Sequence, residues 1–163
     1  DLLGRLNALL ARYCLYACVA GLVAIMTVVA FPVFGRYVLN ASPTWTENLA
    51  LVLVLYVTLL GAAVGVRDAG HIGMDSLLAL APPRWQRRVE YLIHACVAIF
   101  GAMMAYNGTV LGASVSSYKL ANLDLPESVR YVPLLISGAL IVLFSLEHVI
   151  ALARGTEVRP SWH

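Results

Sequence analysis

Four long apolar stretches make up most of the chain, and short polar segments separate them. The charged residues that bound the stretches are Arg12 and Arg36, Glu47 and Arg67, Glu90 and Lys119, and Arg130 and Arg154. Only the fourth stretch contains a charge, Glu147, which is followed by His148. A helix of about 20 apolar residues crosses the roughly 30 Å hydrocarbon layer of a membrane. The pattern predicts four membrane-spanning helices, at about 13–34, 45–66, 89–112 and 131–153.

The polar segments predict two further helices at the membrane surface. Residues 2–12 place leucines at helical spacing, with Arg5, Asn7 and Arg12 off that stripe. This pattern is typical of an amphipathic helix lying in the headgroup layer and leading into the first span. Between spans two and three, Asp75 is suited to begin a short interfacial helix that ends at Pro82. Pro83 is then well placed to open the third span.

The composition agrees with a membrane protein rather than a soluble one. Of the 163 residues, 61% are hydrophobic and 12% are charged, and the mean hydropathy is +0.82. Soluble proteins carry roughly 25% charged residues. The net charge of +2 is too small to indicate nucleic-acid binding, and no basic face alternates with aromatic residues. We therefore expect an all-α integral membrane protein in which residues 1–163 form one membrane domain.

The distribution of Lys and Arg predicts the orientation, because cytoplasmic loops carry an excess of these residues. With four spans, both termini and the segment between spans two and three lie on one side. That side contains Arg5, Arg12, Arg67, Arg84, Arg87, Arg88, Arg154 and Arg159. The other side contains Arg36, Lys119 and Arg130. Both termini are therefore predicted to be cytoplasmic.

The middles of the spans contain none of the charged residues that mark a transport or proton pathway. We expect Glu90 and Glu147, near the cytoplasmic ends, to pair with nearby arginines (Arg87, Arg88 or Arg154). Small residues at 61–65 and 108–112 predict close helix packing. No nucleophile–base constellation, phosphate loop or metal-ligand spacing is present. We thus expect no catalytic residue, no metal site, no cofactor and no enzyme activity.

Two alternatives remain open at this stage. His94 and His148 occur at similar depth in spans three and four, so they could ligate a haem b iron in a small electron-transfer membrane protein. Alternatively, the chain could act as a self-sufficient four-helix transporter, with Asn107 among its few polar mid-span residues. The missing mid-membrane carboxylate speaks against the second alternative.

Several motifs, in order along the chain, resemble the small membrane subunit of tripartite ATP-independent periplasmic (TRAP) transporters. The segment between spans two and three reads Arg67-Asp68-Ala69-Gly70-His71-Ile72-Gly73-Met74-Asp75, followed by Pro82-Pro83-Arg84. The first outer loop reads Arg36-Tyr37-Val38-Leu39-Asn40, then Pro43-Thr44-Trp45-Thr46-Glu47. Leu125-Pro126 and Tyr131-Val132-Pro133 resemble the family's entry to span four. Asn48 departs from the pattern, where a second acidic residue often follows the glutamate.

The resemblance implies a non-catalytic scaffold subunit of a secondary, sodium-coupled transporter for organic acids such as sialic acid or dicarboxylates. Its partners would be a large membrane transport subunit, a periplasmic substrate-binding protein and membrane lipids, in the bacterial inner membrane. Three groups of candidate residues follow. Arg36, Trp45 and Glu47 are candidates for partner contact at the outer face. Arg67, Gly70, His71 and Asp75 form a structural hinge. Arg84, Trp85, Arg87 and Arg88 are candidates for contact with anionic lipid.

Overall fold

The computed structural model describes residues 2–41, 43–68, 76, 78–156 and 158, and within them four long helices dominate. These helices are α1 (Leu2–Val38), α2 (Trp45–Asp68), α3 (Pro83–Ser114) and α4 (Val132–Arg154). A short 3-10 helix, Glu127–Arg130, leads into α4. All four long helices are apolar and long enough to cross a membrane. The predicted all-α class with four spans is confirmed.

The helices form an open row rather than a closed bundle. In the described residues α3 packs on α4, α4 packs on α2, and α2 packs on α1, whereas α3 contacts neither α1 nor α2. The start of α1 also contacts α4. The helices alternate in direction, so that the start of α1, the end of α2, the start of α3 and the end of α4 share one end of the row, the ionic end. The segments 39–44 and 115–131 lie at the opposite, loop end.

Glycines allow α3 and α4 to approach each other closely. A Cβ built on Gly138 would lie 2.6 Å from the carbonyl oxygen of Gly101, and one built on Gly108 would lie 2.9 Å from the backbone nitrogen of Leu135. The expected close packing at 108–112 is therefore present at Gly108. At 61–65 the packing is looser: Ala63 is fully buried and a Cβ at Gly61 would lie 3.8 Å from Sγ of Cys18, whereas one at Gly65 would meet nothing within 4 Å. The close crossing between Gly101 and Gly138 was not singled out by the sequence pattern.

The start of α1 differs from the sequence-based expectation. Residues 2–12 are not a separate interfacial helix but continue directly into the rest of α1. Gly4, Asn7 and Ala11 face the other helices, whereas the leucines beside them are exposed. Asn7 lies alongside Leu143, within the predicted fourth span. Membrane helices pack through small and polar side chains and leave leucine to the lipid, so the leucine stripe marks the lipid-facing side of this segment and the small and polar residues mark its packing side.

The ends of the other helices follow local sequence signals. Pro83 occupies the first turn of α3, as predicted, and Gly155 ends α4 in the left-handed conformation, with φ of 68°. Pro32 lies inside α1, where a membrane helix tolerates it. Ser76 and residues 78–80 are helical, in the region where a short interfacial helix was predicted. Its position at the membrane surface stays a prediction.

Candidate functional site

The ionic end contains a buried cluster of charged residues centred on Arg67, which is only 3% exposed in the last turn of α2. Its guanidinium donates to both carboxylate oxygens of Glu147 on α4, with N–O distances of 3.1 and 3.2 Å. A third N–H donates to the carboxylate of Asp68 at 2.8 Å. This bidentate geometry is the strongest form of arginine–carboxylate pairing, and it ties α2 to α4.

Two histidines extend the cluster to α3. The Nε2 atom of His148 lies 3.1 Å from the carbonyl oxygen of Val66 and 3.0 Å from that of Arg67. Carbonyl oxygens only accept, so Nε2 carries the proton and satisfies carbonyls that the end of α2 leaves without helical partners. The ring of His94 stacks on that of His148, with centroids 4.8 Å apart and planes within 6°. We call Arg67, Asp68, His94, Glu147 and His148 the ionic cluster.

The start of α1 lies against this cluster. Asn7 is buried and donates from Nδ2 to the carbonyl oxygen of Leu143 on α4, at 3.4 Å. A Cβ built on Gly4 would lie 3.6 Å from a carboxylate oxygen of Glu147. Residues of α1, α2, α3 and α4 thus converge at the ionic end.

The ionic cluster corrects the expected partner of Glu147. The sequence analysis paired it with Arg87, Arg88 or Arg154, which are near it in depth. The structure pairs it with Arg67, and Arg87 instead donates to the carbonyl oxygen of Leu152 at 3.1 Å. No spacing rule could find this pair, because its members are 80 residues apart in the chain. The signal that could have suggested it is the matching depth of an arginine and a glutamate on two spans.

The two histidines do not fit the haem alternative. Axial histidines of a haem lie on opposite faces of the porphyrin, and each directs one ring nitrogen at the iron. Here the two rings are stacked face to face, and Nε2 of His148 is directed at the carbonyls of α2. The pair therefore belongs to the packing of the ionic end.

Asn107, which the self-sufficient transporter alternative would use, lies on the exposed side of α3. Its Nδ2 donates to the carbonyl oxygen of Met103, one turn earlier in the same helix, at 2.9 Å. It contributes no polar group to the interior of the row. The structure therefore gives this alternative no support.

The candidate residues of the outer face lie at the loop end. Arg36 is exposed in the last turn of α1, and Glu47 is exposed in the first turn of α2. The ring of Trp45 lies 6.1 Å from that of Phe31. Trp45 therefore helps to join α1 and α2, while Arg36 and Glu47 are accessible.

Asn48 was noted only as a departure from the family pattern, yet it organises the loop end. Its Oδ1 accepts from Arg130 at 3.0 Å, and its Nδ2 donates to the carbonyl oxygen of Ala121 at 2.6 Å. About two turns further along α2, Tyr56 donates to the carbonyl oxygen of Val129 at 3.2 Å. Together these bonds attach the segment 115–131 to α2.

The remaining candidates are divided between the ionic end and the part of the chain outside the described residues. Arg84, Trp85 and Arg88 are exposed in the first turns of α3, and the guanidinium of Arg88 lies 5.6 Å from the centre of the Trp85 ring. Of the predicted hinge, Arg67 belongs to the ionic cluster. Gly70, His71 and Asp75 lie outside the described residues, so their structural role stays a prediction.

The fold and the site define a multi-pass helical membrane protein with an ion-paired cluster at one end and largely apolar outer surfaces. The chain belongs to the DctQ component of the tripartite ATP-independent periplasmic transporters, whose family model matches residues 9–155. The resemblance seen in the sequence is confirmed.

Individual relatives agree with the family match. The chain is 30% identical over 82 residues to a sialic acid TRAP transporter permease protein of Haemophilus influenzae, covering 48% of this chain and 13% of the relative. It is 39% identical over 67 residues to a C4-dicarboxylate TRAP transporter small permease protein of Pseudomonas aeruginosa, covering 41% and 31%. It is 22% identical over 134 residues to a putative TRAP transporter small permease protein of H. influenzae, covering 80% and 81%. The chain thus spans less than a third of the first two relatives.

Proposed function

We propose that this chain is a non-catalytic scaffold subunit of a sodium-coupled TRAP transporter for organic acids in the bacterial inner membrane. The observation that carries the proposal is the ionic cluster, in which Arg67, Asp68 and Glu147 satisfy one another within the row of helices. A protein that moves a polar solute by itself presents polar groups to a pathway. Here those groups hold the helices together, as a scaffold requires.

The apolar edges of the row are suited to a larger membrane partner. Exposed side chains of α1 include Leu6, Val23, Met26 and Phe34, and those of α3 include Phe100 and Met103. In our proposal one of these edges contacts the large transport subunit and the other contacts lipid. The ionic end faces the cytoplasm in the proposed orientation, and the predicted hinge at Gly70, His71 and Asp75 lies there.

The loop end then faces the periplasm, where a soluble substrate-binding protein docks. Arg36, Trp45 and Glu47 remain our candidates for this contact, since two of them are accessible charged residues beside a partly exposed indole. The attachment of the segment 115–131 through Asn48 gives the docking surface a fixed shape. Fixed surfaces bind with less loss of conformational freedom.

Reconstitution tests the proposal. Proteoliposomes would contain this chain, its large membrane partner subunit, or both, with the cognate binding protein and labelled sialic acid or C4-dicarboxylate outside. We expect uptake only from the complete system and only with an inward sodium gradient. Uptake by this chain alone would refute a scaffold role. Uptake by the large subunit alone at the full rate would show that the chain is dispensable and would refute it equally.

A matched pair of variants tests the outer face. In the complete system, the double variant Arg36→Gln/Glu47→Gln should raise the concentration of binding protein that gives half-maximal uptake, without lowering the yield of the membrane complex. The control, Arg5→Gln, changes an exposed charged residue at the ionic end, away from the docking surface. An equal effect of both variants, or none from the first, would remove Arg36 and Glu47 from the contact.

A further inference from the structure

The start of α3 presents two of its arginines on one outward face and turns the third away from it. Positions 84 and 88 are four residues apart and lie about 40° from each other around the helix axis. Position 85 lies about 60° beyond Arg88, and the side chains of Arg84, Trp85 and Arg88 are all exposed. Arg87 is exposed as well, but it lies on the α4 side, where its guanidinium donates to the carbonyl oxygen of Leu152. We call Arg84, Trp85 and Arg88 the basic face.

The charge of the basic face is not neutralised within the described part of the chain. No acidic residue occurs in the first turn of α3. The nearest carboxylate along the helix belongs to Glu90, which is half-buried and lies about 120° around the axis from Arg84. No described carboxylate makes an ion pair with Arg84 or Arg88. Two guanidiniums side by side are therefore available to an anion that comes from outside the described residues.

The indole identifies the kind of anion. Trp85 is 57% exposed, and it lies where a predicted span begins. Tryptophan at this position is typical of the lipid headgroup layer. Arg88 lies over its ring, which holds the guanidinium at the same level. A guanidinium at headgroup depth meets lipid phosphate, to which it donates two parallel hydrogen bonds.

We infer that Arg84 and Arg88, with Trp85 beside them, bind the phosphate of one anionic phospholipid, and that Arg87 takes no part. The inference rests on the membrane placement within the proposed function but not on the transport role. A lipid held there would cover the start of α3 at an edge of the row. Transport could therefore fail in reconstitution while this site still binds lipid.

The test uses the purified full chain in detergent, with phosphatidylglycerol or phosphatidylcholine added, and native mass spectrometry to count bound lipid. Each arginine near an anionic surface contributes about fivefold in affinity. The variant Arg84→Gln/Arg88→Gln should therefore bind phosphatidylglycerol about 25-fold more weakly and lose its preference over phosphatidylcholine. Because both side chains are exposed, the variant should unfold at the same temperature as the wild type.

Arg87→Gln is the matched control. It should lower thermal stability by removing the bond to Leu152 and leave the lipid preference unchanged. Retention of the preference by the Arg84→Gln/Arg88→Gln variant, or its loss in Arg87→Gln alone, would overturn the assignment. Displacement of phosphatidylglycerol by equimolar inorganic phosphate would overturn it too, since it would show that the face binds free phosphate rather than lipid.

Discussion

Replacing Arg67 with methionine removes the cation that two carboxylates of the ionic cluster share. Its side chain is 2% exposed, and those of Asp68 and Glu147 are 1% and 10% exposed. Removing one partner of a buried ion pair costs about 3–5 kcal/mol, because the other charge is left uncompensated. Arg67→Met leaves two such carboxylates, so we expect a loss at the upper end of that range.

Two further variants separate the contributions of Asp68 and Glu147 to this loss of stability. Glu147→Gln leaves Arg67 paired with Asp68, and it weakens charge-assisted hydrogen bonds worth about 1.5–3 kcal/mol each. It should therefore be less destabilising than Arg67→Met. In Arg67→Met/Glu147→Met only Asp68 keeps a buried charge, and apolar side chains fill the space. This double variant should be more stable than Arg67→Met alone, although it carries one more substitution.

The measurement is the free energy of unfolding in mixed micelles, from the loss of helical circular dichroism on titration with sodium dodecyl sulfate. Lys119→Met is the control, because Lys119 and Asp124 form an exposed pair at 3.7 Å whose loss should have no measurable effect. The reasoning is refuted if Arg67→Met costs no more than Lys119→Met. It is also refuted if the double variant is less stable than Arg67→Met.

Two more predictions concern packing and the loop end. Gly138→Ala places a Cβ 2.6 Å from the carbonyl oxygen of Gly101, so we expect a loss of about 1–3 kcal/mol in the same titration. Gly65→Ala, where nothing lies within 4 Å, should instead stabilise by up to about 1 kcal/mol through helix propensity. Equal effects would contradict the α3–α4 crossing. Asn48→Ala should speed amide hydrogen exchange in the segment 115–131, because both of its contacts with that segment are lost. Asn107→Ala removes a bond within α3 and should leave exchange there unchanged; the same acceleration in both variants would count against the role of Asn48.

The number and class of the helices could be predicted from the sequence because charged residues are scarce within the spans. Pro83 also marked the start of α3 correctly. The first turns of α1 were expected to form a separate interfacial helix because their leucines make an amphipathic stripe. Such a stripe is directed at lipid whether the helix lies in the headgroup layer or continues into a span, so it does not distinguish the two. The packing side of this segment is instead the sparse series Gly4, Asn7 and Ala11.

The sites were less predictable, because their partners are far apart in the chain. Arg67 and Glu147 were each noticed, but their pairing depends on how far α2 and α4 are shifted along each other. Asn48 was noticed only because the family often has an acidic residue at this position. Its role depends on the path of the segment 115–131, which leaves no periodic signal. The depth of each residue within its span was the available clue. It limited the possible partners of Glu147 to arginines near the cytoplasmic ends, but it did not identify Arg67 among them.

The open row has a consequence for biosynthesis. α1 and α2 can pair as soon as the second of them has entered the membrane, since they pack on each other directly. In the described residues α3 packs on neither α1 nor α2, and its Gly101 and Gly108 contact only α4. α3 therefore has no packing partner until α4 is inserted. Insertion of α4 then joins α3 to the α1–α2 pair and brings Glu147 to Arg67. A ribosome stalled before α4 would therefore hold one helical hairpin and one solitary helix, which membrane chaperones and proteases could recognise as unfinished.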